Sequence, residues 1–154
     1  MKQRYRMIKS ALLCFCALIA ACASTPQATV ERDAQAKEFN THPGTAALYV
    51  YRTDNRYDEE SVLYIDGRLI GSTLPGAYFR VDLRPGTHRL HGVGADAGGI
   101  TIEGRPGEIL FVSLQVCGGN SHFERASEAA GRQAIEACCA LLENWAPGQR
   151  PLLR

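Results

Sequence analysis

The feature that most constrains this chain is its punctuation. From Gly44 to Cys117, short runs of alternating apolar residues are cut by turn signals. They recur at the roughly 8–12-residue spacing of strands in sandwiches and small barrels. Asp66-Gly67 separates Val62-Leu63-Tyr64-Ile65 from Arg68-Leu69-Ile70. Such a pair between apolar runs predicts a two-residue hairpin, because a type I′ turn needs positive φ at both central positions. Pro85-Gly86 and Pro106-Gly107 divide the later runs in the same way. The expectation is a mainly β fold, a small antiparallel β-sandwich of about seven strands.

Alternation assigns the faces, because successive side chains on a strand point to opposite sides. Ala46, Leu48 and Val50 oppose Ala47, Tyr49 and Tyr51; Phe79, Val81 and Leu83 oppose Tyr78, Arg80 and Asp82. Ile109–Cys117 is the longest and most apolar run. Leu110, Val112, Leu114 and Val116 line one side of it, Ile109 and Phe111 the other. Apolar residues on both sides indicate a central strand. The end of the chain changes period. Ser127 is placed to N-cap a helix. Gly131, Ala134, Ile135, Cys138, Leu141, Leu142 and Trp145 follow on one helical stripe, and Pro147-Gly148 stops it. One C-terminal helix packed on the sandwich is expected, with the apolar Cys138–Leu142 stretch as an alternative strand. The domain then spans 44–146, followed by a tail at 147–154.

The first residues belong to a different physical regime. Lys2, Arg4, Arg6 and Lys9 are the only charges before residue 22, and an uncharged apolar run, ALLCFCALIAA, occupies 11–21. That run is shorter than the ~20 residues that span a bilayer. A basic start, a short apolar run and small residues at its end mark a secretory signal peptide. Ile19-Ala20-Ala21-Cys22 resembles the lipobox of bacterial lipoproteins. The resemblance implies cleavage after residue 21, acylation at Cys22, and anchoring to the lipid bilayer through acyl chains worth ~0.8 kcal/mol per buried CH₂. Ala23, rather than an acidic residue, follows the cysteine; by resemblance to enterobacterial lipoproteins this implies the outer membrane, facing the periplasm. Residues 22–43 are polar and Ala/Thr-rich, with Pro26 and Pro43 as breakers, and read as a lipidated cysteine followed by a flexible tether, with one loose helical turn around Glu31–Phe39 as an alternative within it.

Charge narrows the partners. The chain holds 17 Lys+Arg and 16 Asp+Glu; removing the four basic residues of the leader leaves 13 against 16, a net charge of −3. No basic stripe remains to neutralise a run of phosphates, so nucleic acid is not an expected partner.

The domain itself carries a second resemblance. ALYVYR at 47–52, Tyr64-Ile65-Asp66-Gly67 with Ile70-Gly71, Tyr78-Phe79, Arg84-Pro85-Gly86-Thr87-His88 and Arg105-Pro106-Gly107 occur in the order seen in the domain-of-unknown-function 2846 family of bacterial lipoproteins. The layout is also similar to the Pro-Glu-Gly-Ala class of surface β-domains. The resemblance covers roughly residues 45–143 and implies fold and location without a chemistry. The chain departs from typical members in three domain cysteines and in a long loop at Gly92–Gly99.

Candidate chemistry is sparse. His88 and His91 are three apart on an expected strand and so face opposite ways, which disfavours a metal pair. Cys117 and His122 suggest a Cys–His nucleophile only formally, because no third group orients them. Asp58-Glu59-Glu60 reads as a solvated acidic loop. Tyr49, Tyr51, Tyr64 and Tyr78, with Arg52 and Arg80, are candidates for a binding face with cation–π capacity. No catalytic residue, metal site or cofactor is assigned. Two functional classes remain: a non-catalytic envelope module that binds a protein or glycan or supports the surface, and an inhibitor-type lipoprotein acting on a periplasmic hydrolase. In an oxidising compartment thiols tend to pair. The expected bridge joins Cys117 to Cys138, with Cys139 as the alternative partner, since adjacent cysteines rarely bridge each other.

Overall fold

The computed structural model describes residues 25–53, 61–92 and 98–143. The leader, Cys22, Tyr57, the acidic run 58–60, most of the Gly92–Gly99 loop, Trp145 and the tail lie outside the described residues.

Two sheets face each other, as the alternating pattern requires. The first holds five strands in the order β8-β7-β1-β4-β9: Asn120–Ala126, Ile109–Cys117, Ala46–Arg52, Ala77–Leu83 and Ala140–Leu141. The second holds four in the order β3-β2-β5-β6: Arg68–Thr73, Ser61–Ile65, Gly86–His91 and Ile100–Gly104. The Asp66-Gly67 turn has φ of 51° and 73°, the positive pair demanded by a type I′ hairpin. Asp66 Oδ2 lies 2.6 Å from His88 Nδ1, and its Oδ1 accepts from the Arg89 N–H at 2.9 Å. The hairpin tip is thereby tied to β5, and His88 Nε2 reaches Arg84 O at 2.8 Å.

The sandwich is borne out, with nine strands among the described residues rather than about seven. The two added strands have physical reasons for being faint in sequence. Strand β8 buries only Ser121 and Phe123 and is otherwise polar. Strand β9 is two residues long and follows the helix without a breaker. The second sheet is antiparallel, whereas the first is mixed, because β7 runs parallel to β1 and β9 parallel to β4. Strand β7 is the longest and lies inside the sheet, while β1 occupies its middle.

Both faces of the five-stranded sheet are apolar. Leu48, Val50, Phe79, Val81, Val112 and Leu114 point into the sandwich and meet Leu63, Ile65, Ile70, Leu90 and Ile102 of the other sheet. Ala47, Tyr49, Tyr51, Tyr78 and Phe111 point outward into a second apolar layer. Two helices cover them: α1, Val30–Ala36, and α2, Glu128–Cys138. Ser127 N-caps α2, its hydroxyl accepting from the Ala130 N–H, as expected. The helix ends at Cys138, and the Ala140–Leu141 strand realises the alternative reading of that stretch.

The segment 22–43 does not act as a tether over its described part. Thr25 is 4% exposed, its Oγ1 accepting from the Ser72 N–H at 2.8 Å. Gln27 bridges Leu142, the Ala28 N–H donates to Leu141 O and the Glu143 N–H donates to Pro26 O. Helix α1 then lies over the sheet, and Phe39 is buried against Tyr49 and Phe111 at ring separations of 5.1 and 5.7 Å. The reason is the outward aromatic face. Exposed tyrosines at strand centres need a cover, and Ala36 and Phe39 supply part of it.

Helix α2 approaches the sheet tightly at Gly131. A Cβ there would stand 2.3 Å from Phe111 Cγ and 2.6 Å from Phe111 Cβ, so the ring cannot swing clear. Helix propensity favours alanine over glycine by ~1 kcal/mol, whereas overpacking costs ~1–3 kcal/mol. Gly131→Ala is therefore expected to lower the denaturant midpoint of the domain. A midpoint at or above wild type would mean that α2 does not rest on Phe111.

Candidate functional site

The six residues expected to form a binding face are separated by the structure. Tyr49, Tyr51, Tyr78 and Arg80 do share one side of the five-stranded sheet, but that side is the floor of the helical layer, and the three tyrosines are buried. Arg52 points the other way, into the end of the sandwich, where it is 2% exposed and its Nη1 lies 3.5 Å from Thr73 O. Tyr64 sits on the other sheet, stacked on its cross-strand neighbour His91 at 5.0 Å with 3° between the planes. The expectation of one exposed Tyr/Arg face is thus corrected. Alternation placed most of the tyrosines together, yet it carries no information about a helix arriving from sequence-distant residues.

What those residues form is a latch. Burying a hydroxyl requires a partner, and two of these phenols, those of Tyr49 and Tyr78, donate to helix α1. Tyr49 Oη donates to Ala36 O at 2.7 Å, and Tyr78 Oη donates to Asp33 Oδ1 at 3.0 Å. Asp33 also accepts from the Leu141 N–H at 2.8 Å and from Lys37 Nζ at 2.7 Å. One carboxylate therefore joins the helix, β4 and β9. Arg80 closes the other end. Its Nε donates to Tyr49 Oη at 3.2 Å, one Nη donates to Asn40 O at 3.0 Å, and the guanidinium pairs with Asp82 at 3.1 Å. Above the layer, the Arg132 guanidinium covers the Phe39 ring at 4.6 Å, a cation–π contact between α2 and the chain after α1.

The electrostatics follow the geometry. Burial pushes the Tyr49 phenol upward, partly offset by the charge of Arg80. Burial and then the Asp33 charge drive Tyr78 strongly upward, so both phenols stay protonated and available as donors. Burial also acts to raise Asp33, but hydrogen bonds from Lys37, the Leu141 N–H and Tyr78 outweigh it and hold the carboxyl below its ordinary value of 3.8. Sequence reasoning missed Asp33. Its only local signal was the i,i+4 spacing with Lys37 inside a segment read as tether.

The cysteines depart from expectation as well. Cys138 is bridged to Cys139, and Cys117 is a free, exposed thiol. Cys117 ends β7 in the hairpin at the edge opposite β9, where neither neighbour of the pair can reach it. Ending the helix at Cys138 lets Cys139 turn extended and bury its side chain near Arg52 O. Among the described residues, no group of three His, Cys, Asp or Glu side chains is arranged to hold a metal ion. His91 Nδ1 faces Gly92 O at 2.8 Å, and His122 is exposed on β8 opposite Gln115.

Fold and latch together define a class: a two-sheet β-sandwich whose outer aromatic face is sealed by two helices. The chain is 30% identical over 126 residues to an uncharacterized protein of Haemophilus influenzae, covering 77% of this chain and 74% of that protein, and it belongs to the same family. No family model matches the chain, and no solved structure matches it.

Asp33 gives a pH-dependent test. Its folded pKa lies below the unfolded one, so its contribution is fully present above about pH 4 and is lost as pH falls through the folded value. Asp33→Asn is expected to cost ~1–3 kcal/mol at pH 7. The difference between wild type and variant should shrink as pH falls from 5 towards 2, measured by denaturant unfolding. A difference constant across that range would mean that the charge of Asp33 does not hold the latch.

Proposed function

We propose that this chain is the precursor of a bacterial lipoprotein, processed and acylated at Cys22, whose mature domain is a non-catalytic module of the cell envelope at the periplasmic side of the outer membrane. The observation that carries the reading is Ile19-Ala20-Ala21-Cys22 at the end of a short apolar run behind four basic residues. The position of the domain supports it. Thr25, three residues after Cys22, is built into the sandwich, so the domain lies close behind the proposed processing site. The layout shared with the lipoprotein family of unknown function adds to this reading.

The non-catalytic part rests on where the reactive side chains go. His88 is held between Asp66 and Arg84 O, and the buried Tyr49 and Tyr78 hydroxyls are spent on helix α1. An envelope protein or glycan would then meet the outer surface of the domain, not a cleft. Crosslinking in intact envelopes separates this reading from the inhibitor-type alternative: a structural envelope partner favours the module, a hydrolase favours the inhibitor.

Lipidation is tested directly. In a Gram-negative host, wild-type protein is expected to fractionate with membranes and to carry acyl mass on its N-terminal peptide. Cys22→Ala is expected to lose both. A mature wild-type protein without acyl mass, or a variant equally membrane-bound, would overturn the lipoprotein reading.

A further inference from the structure

We propose that the side of the sandwich formed by residues 25–28 and strand β3 lies directly on the lipid headgroups. The inference rests on acylation at Cys22 and adds an orientation to it. Thr25 is held to Ser72 of β3, and residues 26–28 pair with 141–143 beside β9. This stretch therefore straps together the β3 edge of one sheet and the β9 edge of the other. Only three residue steps separate Cys22 from Thr25, a reach of at most ~11 Å. A compact chain of about 120 residues has a radius of roughly 17 Å. The leash is shorter than the radius of the body it holds, so the domain touches the bilayer and cannot turn its far side towards it.

The surface around the strap fits a lipid neighbour. Among the described residues, the exposed large apolar side chains are Val30, 81% exposed, and Leu69, 39% exposed. Val30 opens α1 immediately after the strap, and Leu69 lies on β3 three residues before Ser72. Strand β3 is also a sheet edge, the kind of unpaired backbone row that proteins shield from other chains. Against the headgroups it is shielded.

The test uses the full acylated protein in vesicles of phosphatidylethanolamine and phosphatidylglycerol, some lipids carrying a nitroxide on the headgroup. Acylation is first verified by mass. One reporter is a fluorophore on Leu69→Cys in a Cys117→Ser background. The other is the same fluorophore on native Cys117. Leu141 is level with Ser113 through Tyr78 and Tyr51, so Cys117 lies three strands across and four residues along from the strap. At strand spacings that is roughly 20 Å. The Leu69 reporter should be quenched severalfold more than the Cys117 reporter. Inserting ten Gly/Ser residues between Ala23 and Ser24 should make the two equal. Equal quenching in the acylated, unlengthened protein overturns the orientation and leaves lipidation standing. A difference that persists after lengthening supports the orientation and assigns it to the surface around the strap instead of the leash. Absence of acyl mass overturns both readings together.

Discussion

Strand β1 is buried along its whole length, and the rest of the structure follows from that. A strand in the middle of a sheet can satisfy its backbone from two neighbours, but its side chains need a cover on each face. Leu48 and Val50 are covered by the second sheet, each such burial contributing ~1.5–3 kcal/mol. Tyr49 and Tyr51 on the reverse face demand as much again, and no third sheet exists among the described residues to meet that demand. Two helices do so, one from each end of the domain, which is why chain segments about a hundred residues apart meet over Tyr49 and Phe111.

Apolar contact alone would let short helices slide. Helix α1 has seven residues, too few to be stable in isolation. Its position is set by directional bonds: Tyr49 to Ala36 O, Tyr78 to Asp33, and Asp33 to the Leu141 N–H. Aromatic pairs such as Tyr49–Phe111, at 5.3 Å, add ~0.5–1.5 kcal/mol beyond area burial. The tyrosines thus serve twice, as ring surface and as donors, which phenylalanine could not do. Phe39 adopts φ of 53°, an uncommon conformation for a bulky residue, and its burial beneath Arg132 holds it there.

Much of the sandwich was legible because it is written locally. The Asp66-Gly67 turn, the two faces of β1 and β7, and the Ser127 cap each depend on residues within one element, and each was read correctly. What failed depended on neighbours in space. Tyr49, Tyr51 and Tyr78 were rightly assigned to one side of their strands, but burial under α1 and α2 has no local signature. Residues 25–43 looked like a tether because only Ala36 and Phe39 among them are buried apolar residues, too few to set a period. Cys138 does fall on the helical stripe, but as the last residue of α2 it is exposed. The helix stops there, the inward position passes to the extended Cys139, and the expected staple to Cys117 is lost.

The same segment ties packing to placement. A sandwich with polar outer faces would leave residues 23–43 free, and a lipidated Cys22 would then hold its domain on some twenty residues of loose chain. Here the outer face is aromatic, the chain after Thr25 is drawn in to seal it, and almost nothing remains between the strap and Cys22. Under the proposed acylation at Cys22, a terminus so close to the fold would make the bilayer part of the domain's surroundings and would restrict which surfaces a third component can reach. The open surfaces are then those far from the strap, the β7–β8 hairpin with its exposed Cys117 and the exposed residues of β6. Under the proposed acylation at Cys22, a partner would approach from that side, because the opposite side would face lipid.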